Sequence, residues 1–239
     1  MLSFDSTLAR LIRFTESRII CTGGVVFIGD GGTGKTHTAL NLTSYKGIAF
    51  YNQTDDSLKK SVNLELNYFI LQSNIEEYQI TTSSQIFIMP GQRGRAKSGE
   101  GLAFEDAVDF YLQASSIKVV LALVLTYDLT DLTTFQELEY WLDRAIERDM
   151  IKEYTNIIIL GTHLDIENGD QLNDDYIEGA KKYIQSLILD KIGIDKNLKD
   201  IHSVKISNTT GEGVEELKQA INNSFISAFK IQDIVKIID

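Results

Sequence analysis

The chain has 239 residues, 43% hydrophobic and 24% charged, the balance of a folded soluble domain rather than a disordered chain. No run approaches the ~18–20 apolar residues a membrane-spanning helix needs. The net charge of −11, from 34 acidic against 23 basic residues, speaks against nucleic acid and anionic membrane as partners, since both want a basic face.

Taken in chain order, residues 4–18 carry Phe4, Leu8, Leu11 and Ile12 at helical spacing and predict an amphipathic helix. Val25–Ile28 predicts a buried strand and residues 34–43 a helix. Val62–Leu71 alternates (Val62, Leu64, Leu66, Tyr68, Ile70), the pattern of a half-buried strand, and Gln85–Met89 predicts its antiparallel partner. A helix is expected over 102–114, a central strand over Val119–Val124, a helix over 133–149, a strand over Ile157–Leu160, a helix over 173–191, a short strand over Ser203–Ile206 and a helix over 214–230. This alternation predicts an α/β fold with a largely parallel sheet. No linker or repeat divides it, so 23–230 is read as the main domain, flanked by an N-terminal helical extension (1–22) and a C-terminal helical tail (231–239). Two roles are open for these flanks: packing on the domain's own core, or docking a partner or second copy in a dimer. The single cysteine, Cys21, permits no intrachain disulfide. The N-terminal sequence lacks the layout of a secretory signal. Leu2 stands where myristoylation needs glycine, and the C-terminal residues contain no cysteine for a prenyl group. A cytoplasmic protein without integral membrane or lipid anchor is therefore expected.

Residues 29–36 read Gly29-Asp30-Gly31-Gly32-Thr33-Gly34-Lys35-Thr36, the pattern GxxxxGK[ST], between an apolar strand and a helix opening with His37. Glycines let backbone N–H groups converge on phosphate oxygens, and the helix N-terminus adds partial positive charge. Lys35 is expected to reach the β- and γ-phosphates and the Thr36 hydroxyl to ligate Mg²⁺. The loop does not choose between ATP and GTP. After the strand Ile157–Leu160 come Gly161-Thr162-His163-Leu164-Asp165. A carboxylate at such a strand end can accept guanine N1–H and the exocyclic amine, which adenine does not offer in that geometry.

With these motifs, Pro90-Gly91-Gln92, the strand ending Leu125–Asp131 and Ser207-Asn208-Thr209-Thr210-Gly211-Glu212-Gly213-Val214, the chain resembles the Ras-like small GTPases from about Val25 to Phe229. Thr162–Asp165 is similar to the GTPase domain of Roco proteins, Pro90–Gln92 to bacterial polarity GTPases of the MglA type, and the whole fits the divergent small GTPases of archaea. The resemblance implies the three-layer P-loop NTPase (G-domain) fold: a six-stranded sheet with one antiparallel strand and five core helices, here with the N-terminal helix added. It also implies a GTP/GDP switch acting on regulatory or effector proteins. Asp165 would then read guanine. Thr162 and His163 stand for the family's Asn and Lys, and Ser207, Asn208 and Thr209 for the loop that backs the base.

By the same resemblance Gln92 orients the attacking water, and the Gly91 N–H senses the γ-phosphate. Gly31 leaves room for an arginine from an activating partner. Ser61 is preferred over Thr54 as the second hydroxyl on Mg²⁺. Phe50 and Tyr51 either cover the base edge or pack in the core. Ile88 stands where the family has a carboxylate that holds Mg²⁺ through water, and an apolar side chain cannot replace it. Weak metal binding with GDP, and slow or partner-dependent hydrolysis, are therefore expected. Arg93, Arg95 and Lys97 supply either an internal arginine, a partner-binding loop or a solvated loop. Trp141 reads as packing, and Cys21, His37 and His202 have no metal-ligand spacing. The competing readings are a nucleotide-loaded structural subunit without turnover and an ATP-using protein with the same loop.

Overall fold

A computed structural model describes residues 12–15, 18–43, 65–91, 103–104, 106–109, 119–166 and 174–238. Phe50, Tyr51, Thr54, Ser61, Gln92, Arg93, Arg95 and Lys97 lie outside the described residues. The chain forms an α/β domain around a seven-stranded mixed sheet in the order β3-β4-β2-β5-β6-β7, with β1 paired to β2 beside this path. The strands are β1 (Ile12–Thr15), β2 (Arg18–Ile28), β3 (Glu65–Ile75), β4 (Tyr78–Ile88), β5 (Val120–Asp128), β6 (Asn156–Thr162) and β7 (Ile201–Lys205). The pairs β2–β4, β2–β5, β5–β6 and β6–β7 are parallel, whereas β1–β2 and β3–β4 are antiparallel.

Among the described residues the helices with defined bounds are α1 (Lys35–Thr43), α2 (Leu132–Gln136), α3 (Leu138–Glu147), α4 (Asp174–Ile192), α5 (Val214–Ala228) and α6 (Ile231–Ile238). They cover the two faces of the sheet. One buried cluster joins Val25, Phe27 and Val124 to Ala39 of α1, Leu217, Ile221 and Phe225 of α5, and Ile231, Ile234 and Val235 of α6. The other joins Val26, Ile28, Leu123 and Leu125 to Trp141 and Leu142 of α3 and Ile184 and Ile188 of α4. A strand covered on both faces has no polar side to show, and β5 is buried from Val120 to Tyr127. The tail beyond Lys230 thus packs on the domain's own core.

Several expectations need correction. The helix expected over 4–18 is not formed where the chain is described: Ile12–Thr15 and Arg18–Ile28 are an antiparallel strand pair, and residues 1–11 lie outside the described residues. The local signal for β2 is period two, with Ile19 and Cys21 buried and Arg18 exposed. β1 borders β2 up to Cys21, and β5 takes over the same side from Gly24, across a register irregularity at Gly24/Val25. Among the described residues the sheet therefore has seven strands and two antiparallel ones, not six and one. The helix expected over 133–149 is broken at Glu137, which separates α2 from α3.

Lys196 shows what burial does to a charge in this fold. It is 2% exposed, and its Nζ donates to the carbonyls of Lys152 (2.6 Å) and Glu153 (2.5 Å). Burial pushes its amine down to about 8, against the opposing pull of Asp200 and Glu153. The folded protein therefore binds fewer protons than the unfolded chain between that value and the ordinary lysine range. Stability contributed by this group rises with pH across the window and is lost as pH falls through it. Relative to Lys196→Met, the parent's urea midpoint should rise between pH 7.5 and 9.5; parallel pH profiles would refute this.

Candidate functional site

The parallel strands β4, β2, β5, β6 and β7 all end on one edge of the sheet, so the segments after Ile88, Ile28, Asp128, Thr162 and Lys205 gather there. The chain leaves β2 toward β4 and leaves β5 toward β6, in opposite directions, which opens the crevice where ligands settle in open α/β sheets. The loop Gly29–Gly34 fills this point and leads into α1.

The loop is folded around its lysine. Lys35 is 5% exposed, and its Nζ donates to the carbonyls of Gly29 (2.8 Å) and Asp30 (2.7 Å). The Asp30 carbonyl also accepts from the Thr33 hydroxyl at 2.9 Å. Gly29 adopts φ +144°, and a Cβ there would meet the Thr126 carbonyl at 2.1 Å, so β2 turns into the loop against β5 with no room for a side chain. Thr36 and His37 follow in the first turn of α1, half-buried. Burial first, then the nearby His163, holds the His37 imidazole below its usual range.

Three other segments close on this loop. Gly91 lies across it: the Gly31 N–H donates to the Gly91 carbonyl at 2.8 Å, and a Cβ at 91 would stand 2.5 Å from Gly31 N and 2.6 Å from Gly29 O. At the end of β6, Thr162 Oγ1 lies 3.0 Å from Thr33 O and 3.1 Å from Tyr127 O, donating to one carbonyl at a time. After β7, Asn208 is seated on α1: its Oδ1 accepts from Asn41 Nδ2 (3.1 Å), its carbonyl accepts from the same amide (3.0 Å), and its side chain pairs with Thr38 Oγ1.

His163 takes a left-handed backbone, φ +63°, and sets its Nδ1 3.0 Å from Asp128 Oδ2. The other Asp128 oxygen accepts from Thr130 N (2.8 Å) and Oγ1 (2.7 Å), which knits the turn after β5 to the turn after β6. Asp165 is exposed, and a hydrogen bond from Ser207 first, then, against an opposing burial cost, its own backbone N–H, Thr209 and the nearby His163 hold its carboxyl below the ordinary range. Ser207, fully buried, accepts from the N–H groups of Thr209 (3.2 Å) and Thr210 (2.9 Å).

The arrangement thus sets a glycine loop with an inward lysine at one end and an ionised, outward-facing carboxylate, Asp165, at the other. Thr162, His163, Ser207, Asn208 and Thr209 join the two ends. Ile88 is fully buried in the sheet opposite Phe27. Among the described residues no group of three His, Cys, Asp or Glu side chains could hold a metal.

Two participants escaped the reading from sequence. Trp141 Nε1 donates to Asp30 Oδ1 at 2.8 Å, and Asn41 braces Asn208. A buried indole needs an acceptor for its N–H, which was a usable signal, though nothing local pointed to a partner so far away in the chain. No family model matches the chain.

Proposed function

We propose that the protein binds guanine nucleotide and acts as a GTP/GDP switch with slow or partner-stimulated hydrolysis, on a P-loop G-domain fold of the Ras-like kind. One observation carries the reading: the loop that would cradle phosphates and the turn that would read the base meet at Thr162, whose Oγ1 lies 3.0 Å from Thr33 O. Polyphosphate on Gly29–Thr36 and base on Asp165 are then two ends of one ligand. Backbone N–H groups of the loop and the α1 N-terminus would bind the phosphate oxygens, with Lys35 turning from its carbonyl partners to the β- and γ-phosphates. A magnesium ion held through Thr36 and Ser61 would neutralise charge on those oxygens. Gln92 would orient the water for in-line attack.

Nucleotide released from freshly purified protein, resolved by chromatography, tests the reading. Guanosine phosphates are expected, and Asp165→Ala should erase the preference for guanine over adenine. Adenosine phosphates in the parent, or unchanged preference in the variant, would favour the ATP-using alternative.

A second reading, a nucleotide-loaded structural subunit without turnover, is favoured by buried Ile88 and by the Gly91 carbonyl on the Gly31 N–H. Single-turnover hydrolysis with Mg²⁺ separates the two: measurable phosphate release in the parent that Gln92→Leu slows at least about tenfold supports the switch. No release, even with candidate partners present, supports the subunit.

A further inference from the structure

Asp30 places an acid at the second position of a loop proposed to hold phosphates. A free carboxylate beside a polyphosphate is repelled by it, most strongly where water is excluded. The structure supplies a counter-measure from another part of the fold. Trp141 of α3 is fully buried, and its Nε1 donates to Asp30 Oδ1 at 2.8 Å. The indole is held by edge-to-face contacts with Phe104 (centroids 5.5 Å apart) and Tyr140 (5.2 Å), so the N–H is fixed before any ligand arrives. The same residue's carbonyl is where the loop closes, accepting from Lys35 Nζ and the Thr33 hydroxyl. Asp30 thus holds the loop at two points, by its carboxylate to α3 and by its carbonyl to Lys35 and Thr33.

We infer that Trp141 is a positioning residue for the loop: its indole N–H pins the Asp30 carboxylate to α3, keeping that charge off the bound phosphates and fixing the carbonyl around which Lys35 and Thr33 fold. The inference rests on the proposed nucleotide site. It explains how an acid is tolerated at Asp30 and what the buried indole N–H is for.

The test is a coupling cycle read by titration with GDP. Trp141→Phe keeps an aromatic ring and loses the donor. Asp30→Ala removes both the acceptor and the charge. The first substitution should weaken GDP binding about tenfold when Asp30 is present, the scale of a lost hydrogen bond to a charged group, and less than about twofold in an Asp30→Ala background. A loss of the same size in both backgrounds means packing alone, and no loss in either means no role; each overturns the inference. Should Trp141→Phe not fold, the parent's indole N–H resonance decides, because the chain has one tryptophan. That resonance should move on adding GDP, and it should move upfield in Asp30→Ala. An unmoved signal in either experiment overturns the proposal. A parent that binds no nucleoside polyphosphate refutes the nucleotide reading itself and takes this inference with it, an outcome distinct from a parent that binds GDP indifferently to Trp141.

Discussion

Replacing Lys35 by alanine is expected to weaken binding of GDP and GTP by at least about 100-fold, while leaving the fold close to intact. In the structure the ammonium is nearly buried and donates to Gly29 O and Asp30 O. On binding it exchanges these two carbonyls for phosphate oxygens, starting from a position already inside the loop. Charge-assisted hydrogen bonds to phosphate contribute about 1.5–3 kcal/mol each, and each 1.4 kcal/mol is tenfold in affinity. Two such bonds suffice for the predicted loss. The effect on folding should be much smaller. The ammonium costs desolvation energy in the ligand-free protein, and Asp30 O keeps the Thr33 hydroxyl as donor when the lysine is gone. The unfolding free energy should therefore fall by only about 1 kcal/mol. Calorimetric titration with GDP and urea unfolding, run on the same preparations, check the two halves. Parental affinity in the variant would remove the basis for placing phosphates on this loop.

What could be read in advance was local. The apolar run Val25–Ile28 followed by a glycine loop and Lys35-Thr36 dictates strand, turn and helix within a few residues, and β2 does run into α1 there. The alternation around Tyr68 and Ile70 marked β3, which continues to Ile75 before turning at Glu76 into β4. Two kinds of feature were not readable. The first is a conflict of periods. Phe4, Leu8, Leu11 and Ile12 suggest a helix, yet Ile12–Thr15 and Arg18–Thr22 carry β-branched residues that find hydrogen-bond partners in β2 and β4. Pairing with strands distant in sequence overrides a weak helical pattern. The second is contact between distant segments. Trp141 and Asp30 meet because β2 and α3 pack on one face of the sheet, and Asn208 meets Asn41 because α1 and the β7–α5 turn share the strand-end edge. Each of these side chains has an ordinary reading in isolation, as packing or as turn, and only the topology gives it a partner. The candidate site was thus legible as motifs, while the bonds that join the motifs were not.

Gly29→Ala should unfold the protein to a degree that its neighbour Gly32→Ala does not, and the contrast isolates the cause. Both glycines sit at positive φ, +144° and +92°, so both substitutions carry backbone strain of about 1–3 kcal/mol. The difference lies in the space. Around Gly32 a Cβ would meet nothing within 4 Å, whereas at Gly29 it would stand 2.1 Å from the carbonyl oxygen of Thr126. That oxygen belongs to the backbone of β5, a central strand buried from Val120 to Tyr127 and paired on both sides. It cannot retreat as the tip of a flexible side chain could. Relief must come from parting β2 and β5 where they meet the loop, and overpacking of this kind costs about 1–3 kcal/mol or more on top of the strain. Gly29→Ala is therefore expected to lose roughly 4 kcal/mol, a large share of the ~5–15 kcal/mol that holds a domain together, and Gly32→Ala no more than about 2 kcal/mol. Urea unfolding followed by circular dichroism measures both. Equal losses would mean that the close approach of the loop to β5 at Thr126 has no energetic consequence. Because the same approach fixes Gly29 O as an acceptor for Lys35 Nζ, a Gly29→Ala protein that still folds at low temperature should also bind GDP more weakly than Gly32→Ala.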